Sequence, residues 1–325
     1  MFPYLLGLAL AFDFLNGFHD SSNIVATVIS SRALPPRVAL LIAAAAEFSG
    51  PFIFGVAVAK TVGDGLLNSE TITSEVILAA LTAAVLWNLV TWRLGIPSSS
   101  SHALVGGLLG AGILADGLAV VQMSGLIKIL FALLISPVFG LAMGYAVMKL
   151  TLFLAKKATP KIDVLFRRLQ LGTLIGLALS HGTNDAQKTM GVITLALLLE
   201  GSISEFNVPL WVIAASAGSI ALGTSFGGWR LIRTLGGRIY RIRPVHAFTS
   251  QIAGAGVILG AALLGGPVST TQVMSSAIMG VGAAERINKV RWGILRDMLV
   301  AWLLTIPLTG AVAALTYFLL ATFLS

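Results

Sequence analysis

NGFHDSSNIVATVI (residues 16–29) and HGTNDAQKTMGVIT (residues 181–194) are two versions of one segment, with Gly17 opposite Gly182 and Asp20 opposite Asp185. A second pair holds the same register. PSSSSHALVGGLLGAG (97–112) matches PVSTTQVMSSAIMGVG (267–282), setting Pro97 against Pro267, Ser99 against Ser269, Ser100 and Ser101 against Thr270 and Thr271, and Gly110 against Gly280. A period of about 165 to 170 residues is far too long for a solenoid unit and is about half the chain. The flanks of the first segment, MFPYLLGLALAF and IVATVI, suit a lipid bilayer, so polar clusters recur at matching places in two apolar halves.

Composition agrees. Of 325 residues, 57% are hydrophobic and 10% charged, with a mean hydropathy of +0.94, outside the range of a soluble domain. Apolar runs of about 17 residues or more alternate with short charged loops, the pattern of helices and not of an outer-membrane barrel. The runs lie near 2–31, 37–60, 75–95, 97–116 and 123–149, then 170–199, 207–227, 245–266, 267–284 and 292–324. The expected fold is therefore an all-α, multi-pass protein of the cell membrane, with about 10–12 segments counting broken or re-entrant helices. There is no cysteine, which removes disulfides and thiolate metal sites. The N-terminus lacks a basic n-region and a small-residue cleavage site, so residues 1–31 read as mature structure. The net charge of +8 does not point to nucleic acid: Arg230, Arg233, Arg238, Arg241 and Arg243 cluster in a loop, as positive-inside anchoring requires.

Loop charge sets the orientation. Segments with Arg32 and Arg37, Lys149 to Arg168, Arg230 to Arg243 and Arg286 to Arg296 face the cytoplasm, whereas those with Asp64, Glu70 and Glu75, and with Glu200 and Glu205, lie outside. The expected division is a first repeat at 1–150, a basic cytoplasmic linker at 151–168 and a second repeat at 169–325. Five crossings per half invert the second repeat relative to the first, bringing Asp20 and Asp185 to the middle from opposite faces. A continuous helix over 1–31 would measure about 46 Å at ~1.5 Å per residue, against an apolar core of about 30 Å. Unwinding at Asn16-Gly17 is the expected remedy. Pro97 and Pro267 each precede a hydroxyl-rich stretch, which predicts two short helices starting inside the membrane.

Asp13, Asp20, Glu47, Asp185, Lys188 and Lys128 fall within predicted apolar runs. A carboxylate at the bilayer centre costs at least ~2.5 to 3.5 kcal/mol on insertion scales, so such groups line ion or water pathways or clamp helices together. For Asp20 and Asp185 the repeat favours a pathway, since two independent clamps have no reason to coincide. The runs 98–101 and 269–271 could simply pack helices closely. Placed at two facing helix N-termini, their hydroxyls join unpaired N–H groups in an anion cradle. GGLLGAG (106–112) has no preceding strand and reads as close helix packing, not a dinucleotide loop. Asp13 has no acidic counterpart and is as well explained by a structural contact. His19, His102 and His181 lie at the motifs and could handle protons or serve as neutral hydrogen-bonding groups. Lys188 stands opposite Asn23 and either replaces a cation or pairs with Asp185.

With these segments in view, the chain resembles the inorganic phosphate transporter (Pit) family of bacterial low-affinity permeases. NGFHDSSNIVATVIS and SHGTNDAQKTMG are similar to its two signatures, and PVSTTQ with GWRLIRTLG fits its second half, so the resemblance spans nearly the whole chain. It implies an inverted-repeat, cation-coupled phosphate symporter that forms a homodimer, works without a cofactor and co-transports Na⁺ or H⁺. Carried onto this chain, it assigns phosphate contacts to Asp20, Ser98, Ser99, Ser100, Asp185, Ser269, Thr270 and Thr271. Cation or proton coupling falls to Asn16, Asn23, Glu47, Asn184 and Lys188. There are departures: the first signature has His19-Asp20 where Asn-Asp is common, Ser216 stands where many members carry an acid equivalent to Glu47, and Gln272 where a histidine is common.

Phosphate at neutral pH keeps a proton that a carboxylate can accept, while hydroxyls and N–H groups hold its other oxygens. Sulfate has no such proton, and a site built around a substrate OH rejects an analogue lacking it. The alternatives are a sulfate permease of the same family and an anion channel, which would pass phosphate without coupling to a cation. An intramembrane enzyme fits poorly, because the hydroxyls come in matching runs and position singles out no nucleophile.

Overall fold

The computed structural model describes residues 1–68, 72–159, 161–237 and 240–323; Glu70 and Arg238, named above for their loop charge, lie outside them. Among the described residues the chain is helical, with no strand beyond an isolated bridge between Leu67 and Val121. The first half comprises α1 (Phe2–Ser30), α2 (Pro36–Phe54), α3 (Ala57–Gly63), α4 (Ser74–Leu94), α5 (Ser100–Asp116) and α6 (Met123–Leu154). The second comprises α7 (Ile162–Leu199), α8 (Leu210–Phe226), α9 (Trp229–Gly237), α10 (Pro244–Leu263), α11 (Thr270–Arg286) and α12 (Trp292–Phe323). α7 begins inside the stretch read as a linker, so residues 162–168 are helix.

Among the described residues five helices are long and apolar enough to cross a membrane: α2, α4, α6, α10 and, within α12, Met298–Phe323. α8 and α9 qualify together but are bent by 72°. The bend falls at Gly227, whose φ of +74° an L side chain rarely adopts. Packing follows the order of elements in both halves. α1 lies against α8 and α7 against α2; α5 lies against α12 and α11 against α6.

α1 and α7 run antiparallel. The Phe2 amide donates to Glu200 Oε1 (3.2 Å) at one end, and Ser31 Oγ donates to Gln170 Oε1 (2.6 Å) near the other. The basic segments meet at this second end, where Arg32, Arg167, Arg241, Arg243 and Arg291 border one cavity. Beside it, Tyr240 donates to Glu285 Oε2 (2.6 Å), and Arg243 and His246 also pair with Glu285. Burial, aided by that acceptor, pushes the Tyr240 phenol up to about 12.

α1 corrects one expectation, because it is a single unbroken helix through Asn16 and Gly17. The glycine serves close approach instead of unwinding. A Cβ on Gly17 would sit 2.0 Å from the Ile220 carbonyl oxygen of α8, and one on Gly182 would sit 2.0 Å from the Glu47 carbonyl oxygen of α2. Matching glycines thus let each signature helix touch its neighbour's backbone, as small residues do in membrane bundles. GGLLGAG behaves as its composition predicts, with Gly106 and Gly110 against α12.

Candidate functional site

α5 and α11 begin in the interior. Each has a serine N-cap, Ser99 accepting from the His102 amide (3.2 Å) and Ser269 from the Gln272 amide (3.4 Å). Each cap satisfies one of the donors that a helix start leaves unpaired. The two starts touch, since Ser101 Oγ donates to the Val268 carbonyl (3.0 Å). Ser99→Ala and Ser269→Ala should each cost about 1 kcal/mol, read as a lowered unfolding temperature in detergent. A double variant no less stable than the parent would refute this role.

The signature aspartates converge on those helix starts. Thr270 Oγ1 donates to Asp185 Oδ2 (2.8 Å) and lies 3.4 Å from Asp20 Oδ2, so one hydroxyl joins both acids. Thr271 Oγ1 donates to Asp20 Oδ1 (3.0 Å) and accepts from Asn23 Nδ2 (3.0 Å). His19 Nδ1 lies 2.9 Å from Asp20 Oδ1. Lys188 pairs with Asp185, and its Nζ donates to Ser101 Oγ (2.6 Å) and the Val268 carbonyl (3.0 Å). The ion pair between Lys188 and Asp185 that their spacing allowed is therefore made.

A second cluster adjoins the first. His181 Nδ1 lies 2.6 Å from Glu47 Oε1, and its Nε2 is 3.0 Å from Asp185 Oδ2, close but not aligned as a hydrogen bond. Thr224 Oγ1 donates to Glu47 Oε2 (2.5 Å) and sits 3.1 Å from the Gly17 carbonyl. Asn184 bridges to the α11 approach through the Gly266 carbonyl (3.1 Å) and the Val268 amide (3.3 Å). Ser100 Oγ donates to Asn16 Oδ1 (2.7 Å), tying α5 to α1.

All thirteen assigned residues are at most 3% exposed. Asp20, Asp185, Thr270, Thr271, Asn23 and Lys188 form one connected group, with Glu47 joined through His181. Ser98 turns away to donate to Thr91 Oγ1 (2.8 Å), and the Ser99 and Ser269 oxygens act as caps. Among the described residues several buried polar atoms have no protein partner, including Asn16 Nδ2, His19 Nε2 and Asn23 Oδ1. Asp13 Oδ1 accepts from Thr189 Oγ1 (2.5 Å), an α1–α7 contact.

The phosphate and cation assignments made from the sequence did not include Ser101, His181 or Thr224, although the run 98–101 and His181 were both singled out. Ser101 carried a usable signal, being the repeat counterpart of Thr271. His181 had one too, since i and i+4 share a helix face and place it beside Asp185. Thr224 had none.

Comparison with known proteins bears on this geometry. The pattern of the Phosphate transporter family matches residues 16–313. A probable low-affinity inorganic phosphate transporter of Bacillus subtilis (strain 168) is 45% identical over 96% of this chain and 95% of its own. One of Rhizobium meliloti (strain 1021) is 45% identical over 98% and 96%. Among solved structures, the sodium-dependent phosphate transporter is 25% identical, with a TM-score of 0.89 over 99% of each chain. These relatives are named as transporters, not enzymes. With its family pattern spanning both aspartate signatures and both helix starts, the chain is a multi-pass membrane protein that belongs to the phosphate transporter family.

Proposed function

We propose that the protein imports inorganic phosphate by symport with Na⁺ or H⁺, through an inverted repeat that alternates access to one central site. The observation that carries this reading is Thr270, whose hydroxyl reaches the aspartates of both signatures at the N-terminus of α11. Phosphate entering there meets donors from two helix starts and acceptors from two carboxylates, a combination suited to a partly protonated oxyanion. Two buried aspartates also need positive charge before an anion can join them, which supports coupling to a cation. The burial of every assigned residue supports an occluded arrangement, from which the halves must move to admit substrate. The antiparallel course of α1 and α7 is what an inverted repeat requires.

The test is radiolabelled phosphate uptake into proteoliposomes, with sodium and proton gradients imposed separately. Uptake should rise with at least one inward gradient and resist excess sulfate. Equal flux with no gradient would favour a channel, and full competition by sulfate would favour a sulfate permease.

A further inference from the structure

Lys188 is, among the described residues, the only buried lysine or arginine. Its ammonium has three N–H donors, and three acceptors take them: the Asp185 carboxylate, the Ser101 hydroxyl (2.6 Å) and the Val268 carbonyl (3.0 Å). None is left to bind phosphate in this arrangement. The group is instead a positive charge inside a shell of one carboxylate, one hydroxyl and one backbone carbonyl. Such oxygens are what discontinuous membrane helices offer a small cation.

The other half of the chain supplies an internal comparison. In the repeat register Asn23 stands opposite Lys188, Asp20 opposite Asp185, Thr271 opposite Ser101 and Ser98 opposite Val268. The same contact is conserved in kind, because Asn23 Nδ2 donates to Thr271 Oγ1 (3.0 Å) just as Lys188 Nζ donates to Ser101 Oγ. The charge is not. Where the second half has an ammonium, the first has a neutral amide whose Oδ1 is buried with no partner among the described residues.

We propose that Lys188 is a tethered cation, standing in the second half for a mobile coupling ion that the first half must still take up. The inference rests on the cation-coupled reading above. A permanent charge at this position offsets the Asp185 carboxylate in every state. One fewer cation then accompanies each phosphate than in a site with asparagine in both halves.

Two reciprocal substitutions test it. Lys188→Asn rebuilds the first-half arrangement in the second half, giving a carboxylate, an amide oxygen, a hydroxyl and a carbonyl to a small cation. ²²Na⁺ binding to the purified, phosphate-loaded protein should rise by one ion per chain over the parent. Asn23→Lys should do the opposite, lowering by one the Na⁺ or H⁺ that enters proteoliposomes with each phosphate. A folded, phosphate-binding Lys188→Asn protein that takes up neither one more Na⁺ nor one more proton per chain than the parent on binding phosphate would overturn the proposal. If that variant does not fold, an Asn23→Lys protein with an unchanged cation-to-phosphate ratio, or with no uptake at all, overturns it instead. Parent protein that takes up phosphate with no cation dependence sinks the symport reading itself, an outcome distinct from either.

Discussion

Asp20→Asn should cut phosphate uptake at sub-saturating phosphate by roughly 10- to 150-fold while leaving the protein folded, whereas Asp185→Asn should cut uptake at least as far and also weaken the fold. The two acids differ in what they hold. Asp20 accepts from Thr271 and lies beside His19 and Thr270, contacts that an amide oxygen can partly keep. Its loss removes an acceptor for a P–OH group. A hydrogen bond to a charged group contributes about 1.5–3 kcal/mol, roughly a 10- to 150-fold loss of affinity at 1.4 kcal/mol per tenfold. Asp185 is in addition the counter-ion of Lys188 and lies 3.0 Å from His181 Nε2. Removing it leaves a buried ammonium unpaired, which costs about 3–5 kcal/mol. Uptake and thermal unfolding of both variants check this pair of outcomes. Asp20→Asn protein with parental uptake would remove Asp20 from the site, and equal unfolding temperatures for the two variants would contradict the role given to Lys188.

The second large effect is structural. Gly182→Ala should destabilise the protein by about 3 kcal/mol, at the upper end of the usual overpacking cost. The new Cβ would meet backbone atoms of Glu47 at 2.0, 2.7 and 2.9 Å, and backbone cannot rotate out of the way as a side chain can. α2 would have to withdraw, carrying Glu47 off His181. Gly176→Ala, on the same helix with nothing within 4 Å of its Cβ, is the control and should be neutral or slightly stabilising. Similar unfolding temperatures for the two would refute the close-packing role of the signature glycine.

How much of this was legible in the sequence depended on the kind of contact. Asp20 and Asp185 could be paired because a half-chain repeat put them in one register, and the helix starts at Ser99 and Ser269 because Pro and hydroxyl residues marked them. Lys188 three residues after Asp185 was readable as a helix neighbour. Gly17 was misread, since a glycine in a membrane helix signals either unwinding or close approach, and only the position of Ile220 decides. Ser98 was placed with the ligands by the family resemblance, yet its hydroxyl faces Thr91 of α4. Thr224 could not be found at all: its contact with Glu47 joins two positions that no repeat or helical spacing relates.

The most direct test of a single site shared by both signatures is a phosphate-bound structure determined by cryo-electron microscopy. The anion should lie between Asp20 and Asp185, in contact with Thr270 and facing the starts of α5 and α11. Phosphate held instead in the basic cavity of about 480 Å³ at Arg241, Arg243 and Arg286, with none between the aspartates, would contradict the account.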